Sequence, residues 1–203
     1  MPKIAIIDYG CGNILSLKNA LVACGQEPVV VNQPSMLHDF DIVFLPGVGA
    51  FQTAHTKLEE SGFRKPIIEF VANKNKTLIG ICVGMQLLGQ TSEEADEGSL
   101  GLGIFDFKVQ QLKPTDRLRL PNMGWAPVTF SKISYKEFDG DYYFVHSYAV
   151  PWSREYTLAK ANYGSSQFSA AIFNGVNVFG FQFHPEKSHK LGLALMLSMV
   201  KDG

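Results

Sequence analysis

Short runs of consecutive apolar residues alternate with helical patterns through the first half of the chain, and this alternation restricts the fold more than any other feature. Residues 3–8 (KIAIID) read as a strand in which nearly every position is apolar. Residues 13–24 follow as a helix, with Ile14, Leu17 and Leu21 on one face and Gly25 as its stop signal. Residues 28–32 and 41–45 are the next two strands, joined by a short polar connection over 33–40. Helical patterns cover 52–60 and 66–73, and residues 77–81 form a fourth strand that runs straight into an apolar helix, 83–88. A strand with no polar face has to be covered on both sides. Repetition of strand, helix and strand in this manner predicts a mostly parallel α/β sheet with helices on both faces.

The second half changes character. Segments 104–112, 126–130, 142–150, 156–161 and 169–173 are short, β-branched and aromatic, with Gly, Asn and Asp between them. They predict antiparallel strands added to the parallel core. Residues 176–183 read as a last strand ended by Pro185, and 189–201 as a terminal helix apolar enough to be mostly buried. No linker or repeat separates the halves, so residues 1–203 are expected to form one domain, a length that suits a sizeable core.

Composition narrows the function. Lys and Arg number 18 against 19 Asp and Glu, a net charge of −1 with no basic block, which excludes a dedicated nucleic-acid binder. Charged residues make up only 18%, below the usual quarter or so, which suits a chain that buries surface against a partner. The longest apolar stretch, 191–200, contains Gly192 and Ser198 and falls short of the ~20 residues that cross a bilayer. The apolar run at Ile4–Ile7 is shorter than the roughly 7–15 residues of a signal-peptide core. A cytoplasmic protein without membrane contact is expected. Cys11, Cys24 and Cys82 show no C-x-x-C spacing and no flanking histidines, which argues against a disulfide framework and against a metal site.

Chemistry concentrates in three segments. Gly80-Ile81-Cys82-Val83-Gly84 lies between a buried strand and an apolar helix and is the cysteine version of a nucleophile elbow. An abrupt strand-to-helix turn strains the nucleophile's backbone, and glycines on either side allow close approach of neighbouring chain. Free N–H groups at the helix start favour a thiolate, and that of Val83 is available to an oxyanion. The plainer alternative is a small apolar cysteine between two packing glycines. His184, in Phe183-His184-Pro185-Glu186, falls at the C-terminal rim of the last strand, where open α/β sheets place their ligands. Glu186 is placed to hold its imidazole as the third member of a triad, although His-Pro-Glu also suits a solvated turn. His38, His55 and His189 read as surface residues, His146 as a satisfied structural histidine, and Cys11 and Cys24 as core or loop residues. The third segment, 45–51 (LPGVGAF), fits either an anion-cradling loop or an ordinary strand-to-helix turn.

Together these segments resemble the class I, triad-type glutamine amidotransferases, and within them the glutaminase subunits of imidazole glycerol phosphate synthase. Ile7-Asp8-Tyr9-Gly10-Cys11-Gly12-Asn13, Pro46–Phe51, residues 80–88 (GICVGMQLL) and 184–188 (HPEKS) carry the likeness in that order. It runs from Ile4 to the terminal helix. The resemblance implies a flavodoxin-like sheet and hydrolysis of L-glutamine to glutamate and ammonia by Cys82, His184 and Glu186. It implies an oxyanion held by the N–H of Val83 and, after a peptide rotation, of Val48. Gly49, Gln86 and Glu94 match substrate-binding positions, and Ser147 and Tyr148 match the segment closing the other side of that pocket. The implied partner is a (β/α)8-barrel cyclase subunit that receives the ammonia through a tunnel in histidine biosynthesis, met by Asn13, Ser16, Trp125 and Tyr143. No metal or organic cofactor is implied. Asn122 stands where His is usual, Ala126 where Asn is usual, and Val83 where Leu is more common. The first two departures are expected near the interface. They bear on the acceptor, and a paralogous glutaminase that amidates a surface-polysaccharide sugar is the alternative.

Overall fold

The computed structural model describes residues 1–115 and 118–202. Its first part contains β1 (Ile4–Ile7), α1 (Ile14–Ala23), β2 (Val29–Val31), β3 (Ile42–Gly47), α2 (Phe51–Glu60), α3 (Arg64–Ala72), β4 (Thr77–Cys82) and the one-turn α4 (Val83–Gln86). The remainder contains β5 (Thr91–Ser92), β6 (Lys108–Gln111), β7 (Asn122–Phe130), β8 (Gly140–His146), β9 (Tyr148–Ala149), β10 (Thr157–Tyr163), β11 (Ser166–Phe173), β12 (Val178–Phe181) and α5 (His189–Asp202). Short 3₁₀ segments span Pro34–Asp39, Ile133–Phe138 and Pro185–Lys187.

Nine strands make one sheet in the order β2-β1-β3-β4-β12-β11-β10-β7-β8. The five from β2 to β12 are parallel to one another, and the four from β11 to β8 continue the sheet antiparallel. Every residue of β1, β3, β4 and β12 is buried, as their unbroken apolar runs require. The chain leaves β1 in one direction, through α1 to β2, and leaves β3 in the other, through α2 and α3 to β4. Right-handed crossovers therefore place α1 and the α2–α3 pair on opposite faces. Consistent with this, α1 meets α5, while α3 meets the Pro34–Asp39 segment.

The parallel half follows its sequence pattern closely except at the helix after β4, and the second half departs from it most clearly in two places. Only Lys108–Gln111 of the run 104–112 is strand; Phe105 and Phe107 before it pack against Tyr156, with ring centroids 6.0 and 5.5 Å away. The run 142–150 is not one strand but breaks at Ser147 into β8 and β9. Beyond the break the chain leaves the large sheet, and β9 pairs with β6 in a small sheet of order β5-β6-β9, in which β5 runs parallel to β6. The added strands are thus not all antiparallel. The helix expected over 83–88 ends after one turn, because the carbonyls of Leu87 and Leu88 bond the N–H groups of Leu102 and Ile104 instead of continuing the spiral.

Candidate active site

Strand register brings the three chemical segments together. Gly47 at the end of β3 pairs with Cys82 at the end of β4, and Ile81 pairs with Phe181 at the end of β12. The loop after β3, the cysteine and the residues after β12 therefore emerge side by side from strands about 4.8 Å apart. The glycines around Cys82 are required by contact. A Cβ on Gly84 would lie 1.9 Å from the carbonyl oxygen of Leu45, one on Gly47 2.5 Å from the Gly84 nitrogen, and one on Gly80 2.7 Å from the Gly84 oxygen. Cys82 itself has φ 55° and ψ −111°. A non-glycine residue in such a region costs on the order of 1–3 kcal/mol, which the surrounding sheet must impose.

His184 is held on two sides. Its Nδ1 bonds Oε1 of Glu186 at 2.8 Å, and the two side chains are 2% and 3% exposed. Its backbone N–H donates to the Tyr143 carbonyl at 2.9 Å. Ser188 Oγ donates to the His184 carbonyl at 2.7 Å while accepting from the Tyr143 N–H at 3.0 Å. The turn after β12 is thereby stitched to β8. With Nδ1 committed, Nε2 is the nitrogen left for Cys82; it is buried and has no hydrogen-bond partner within the protein. Burial pushes the imidazole toward neutrality, but Cys82 and then Glu186 outweigh it and raise His184 from 6.5 to about 10. The site favours the imidazolium.

A cavity of about 370 Å³ opens over the sulfur, within the range of small-molecule sites. Cys82, Val83 and His184 line it, as do Val48, Gly49 and Glu94. Gln86, Ser147 and Tyr148 line it too, together with Pro121, Val145, His146 and Lys187. Glu186 stands behind the His184 ring. The Val48 carbonyl accepts the Cys11 thiol at 3.0 Å, and Tyr9 Oη donates to the Pro46 carbonyl at 2.8 Å, so the loop after β1 holds the loop after β3. Glu94 Oε2 accepts from the Phe51 N–H at 2.8 Å and so caps α2. Gln86 Nε2 donates to the Tyr148 carbonyl at 2.9 Å and to Gln182 Oε1 at 3.1 Å.

The expected interface residues lie on one face. Trp125, 47% exposed, stacks on His189 at 4.6 Å and meets Tyr143 edge-on at 6.1 Å. Lys187 Nζ lies 5.6 Å above the Tyr143 ring. Asn13 caps α1 by accepting from the Ser16 N–H at 3.2 Å, and Ser16 shares a surface hollow with Glu186, Lys187 and His189.

Asn122, three residues before Trp125 in β7, is buried behind the cavity wall. Its Nδ2 donates to His146 Nε2 at 3.1 Å, and His146 Nδ1 donates to the Tyr148 carbonyl at 2.9 Å. Burial lowers His146 to about 4, so its ring is neutral. His146 is satisfied as expected. His55 is not a surface residue: its side chain is 16% exposed and its ring bonds the Leu100 carbonyl. Sequence reasoning passed over Gln182, Ser188 and the partner of Asn122, since each depends on a contact distant in the chain. A polar Gln182 between Phe181 and Phe183 was the one available signal. Among the described residues, no cluster of three or more His, Cys, Asp or Glu is arranged to hold a metal ion, and no helix is long and apolar enough to cross a membrane.

The family model described as Glutamine amidotransferase class-I matches residues 5–200. The chain is 46% identical over 195 residues to the imidazole glycerol phosphate synthase subunit HisH of Methanopyrus kandleri, covering 96% of this chain and 95% of that protein. The chain belongs to the class-I glutamine amidotransferases and, within them, to the HisH family. It is also 40% identical over 201 residues to HisH 2 of Campylobacter jejuni, covering 98% of each. A solved structure titled as a glutamine amidotransferase superposes with a TM-score of 0.76 at 17% identity, over 98% of this chain and 99% of that one. Another, PurLQS from Thermotoga maritima, gives the same score and identity over 99% and 98%. At that identity these two speak for the flavodoxin-like fold alone.

Proposed function

We propose that this HisH-family chain hydrolyses the side-chain amide of L-glutamine and passes the ammonia to a partner subunit in histidine biosynthesis. The observation that carries the reading is Cys82 and His184 meeting at one cavity, with Glu186 bonded behind the ring. With the thiol proton already on Nε2 of His184, the thiolate of Cys82 attacks the amide carbon, and the new oxyanion sits between the N–H groups of Val83 and Val48. His184 then protonates the departing nitrogen, which leaves as ammonia, and a thioester remains on Cys82. Water, deprotonated by the same ring, cleaves the thioester and releases glutamate. Glu186 holds the tautomer and steadies the cation. Gly49, Gln86, Glu94, Ser147 and Tyr148 grip the amino acid. One oxyanion donor is worth on the order of 10²–10³ in rate, so a Val48 peptide that rotates into place acts as a switch under the partner's control.

The relatives are named as subunits of imidazole glycerol phosphate synthase, which supports a cyclase partner over a sugar-amidating one. We infer that this partner is a (β/α)8 barrel, docked on Asn13, Ser16, Trp125 and Tyr143. Met123 and Leu15, 69% and 68% exposed, neighbour Trp125 and Ser16 in the chain and add apolar surface there. The reaction runs in the cytoplasm and needs no metal or organic cofactor. Glutamate release should be low for the chain alone and rise with the cyclase subunit of the same genome and its ligand. It should fall at least ~10⁴-fold in Cys82→Ala. Turnover surviving in that variant removes the mechanism, and failure to bind the cyclase removes the acceptor.

A further inference from the structure

Gln182 is fully buried at the end of β12, where Phe181 and Phe183 alternate with it along the chain and turn to the other side. An amide in that position is costly unless its polar atoms are used. Both are used, and both inside the active site. Its Oε1 accepts from Gln86 Nε2 at 3.1 Å, and its Nε2 lies 3.8 Å from Cys82 Sγ as a donor. Gln86 spends its amide nitrogen on Gln182 and on the Tyr148 carbonyl. Gln86 Oε1 is left buried with no partner in the protein, on a side chain that lines the cavity. The orientation of the Gln86 amide is thus decided by the acceptor opposite its nitrogen. Were Gln182 to present a donor there, Gln86 would have to turn its oxygen inward and show nitrogen to the cavity.

We propose that Gln182 is a positioning residue with two separable tasks. It locks Gln86 with its oxygen free to accept an N–H of the substrate, and it donates a hydrogen bond to the Cys82 sulfur. The first task sets the polarity of the pocket: a group carrying an amide or ammonium N–H is accepted there, and one presenting only oxygen lone pairs is opposed. The second supports the negative charge on sulfur before attack. The Tyr148 carbonyl is fixed in turn by His146, whose neutral ring receives the Asn122 amide. Asn122 therefore feeds the same lock from the far side. This inference rests on the glutaminase reading for the identity of the substrate, whereas the two contacts of Gln182 stand without it.

Two near-isosteric variants separate the tasks. Gln182→Glu keeps an acceptor for Gln86 but replaces the donor at sulfur with a carboxylate; Gln182→Met removes both. The full chain with its cyclase partner is assayed for glutamate release. The chain alone is treated with iodoacetamide over a pH series, and Cys82 modification is followed by peptide mass. Gln182→Glu should hold KM within about threefold, lower kcat roughly tenfold, and raise the pH midpoint of Cys82 alkylation by up to about one unit. Gln182→Met should show the kcat loss and also raise KM roughly tenfold. A merely structural glutamine would leave the alkylation midpoint where it is. Unchanged midpoint and KM in a folded Gln182→Met overturn the proposal. If that variant does not fold, an unchanged kcat and midpoint in Gln182→Glu overturn it. A parental chain that releases no glutamate with its partner defeats the glutaminase reading instead, and the alkylation series still decides the contact with sulfur.

Discussion

His184 leaves the parallel half of the sheet just after β12, and His146 ends β8 in the antiparallel half. Both rings are buried and both are hydrogen-bonded at Nδ1. They are nevertheless held in opposite states, His184 raised to about 10 and His146 lowered to about 4. Burial pushes both rings toward the neutral form, so the partners decide. At the parallel strand ends the ring meets a carboxylate and a thiolate, which favour the cation. In the antiparallel wall it meets a backbone carbonyl and an Asn amide, which satisfy a neutral ring at both nitrogens. The same residue type is thus a reactive group in one half and a structural prop in the other, and the difference lies in what the fold brings opposite it.

The largest expected effect tests this division directly. Glu186→Gln should lower kcat for glutamine by roughly 10³–10⁴, whereas Asn122→Leu should leave kcat nearly intact and move KM by less than about tenfold. Comparable kcat losses in both would break the distinction between reactive and supporting histidine. Next in size is a contrast of glycines. Gly84→Ala drives a methyl group into the Leu45 carbonyl and should destabilise the fold by about 3 kcal/mol or more in urea unfolding. Gly124→Ala in β7, at φ +123° with open space around it, should cost only the backbone strain, about 1–2 kcal/mol.

The pH dependence follows with opposite signs. Below pH 6.5 an unfolded His146 takes up a proton that the folded ring refuses until about pH 4, so stability falls across that window, by up to about 3 kcal/mol. For His184 the folded value lies above the unfolded one. Its contribution is fully present below pH 6.5 and is lost as pH rises toward about 10. His146→Gln should flatten the acid side of the curve of urea midpoints, and His184→Gln the alkaline side. If each variant flattens the other's side, the assignment of charge is reversed. Smallest is Trp125→Ala, which should weaken binding to the cyclase subunit by about 1–2 kcal/mol in calorimetry while leaving Cys82 alkylation unchanged.

The two halves also differed in how much could be read from residues alone. The bounds of β1, α1 and β4 fall within a residue or two of those the apolar runs imply, because a fully buried strand and an amphipathic helix each carry their own pattern. The elbow at Cys82 was equally legible. A Cβ on Gly80 would meet the Gly84 backbone within the turn itself, whereas one on Gly84 would meet Leu45 and Pro46 of β3, so the demand for glycine is local at the first position and set by the packed sheet at the second. The break at Ser147 left only a weak local mark, the polar pair His146-Ser147. Apart from the His146-Ser147 pair, residues 142–150 are Tyr, Phe, Val and Ala, and the competition between β7 and β6 as pairing partners divides them. Gln182 and Asn122 were obscure for the same reason, since Gln86 and Cys82 lie about a hundred positions from Gln182, and His146 lies 24 from Asn122.

By itself the order of residues determined a covered parallel core, a cysteine flanked by glycines at an abrupt strand-to-helix turn, and a histidine followed two places on by a carboxylate. These are consequences of short-range sterics and of which side chains leave water. Tertiary structure alone decided that β3, β4 and β12 end level with one another, that the wall of the cavity forms where the chain changes sheets, and which buried histidine carries charge. Those outcomes depend on register and on groups far apart in the chain, and the free energy of a proton on a ring is set by whatever the fold places against it.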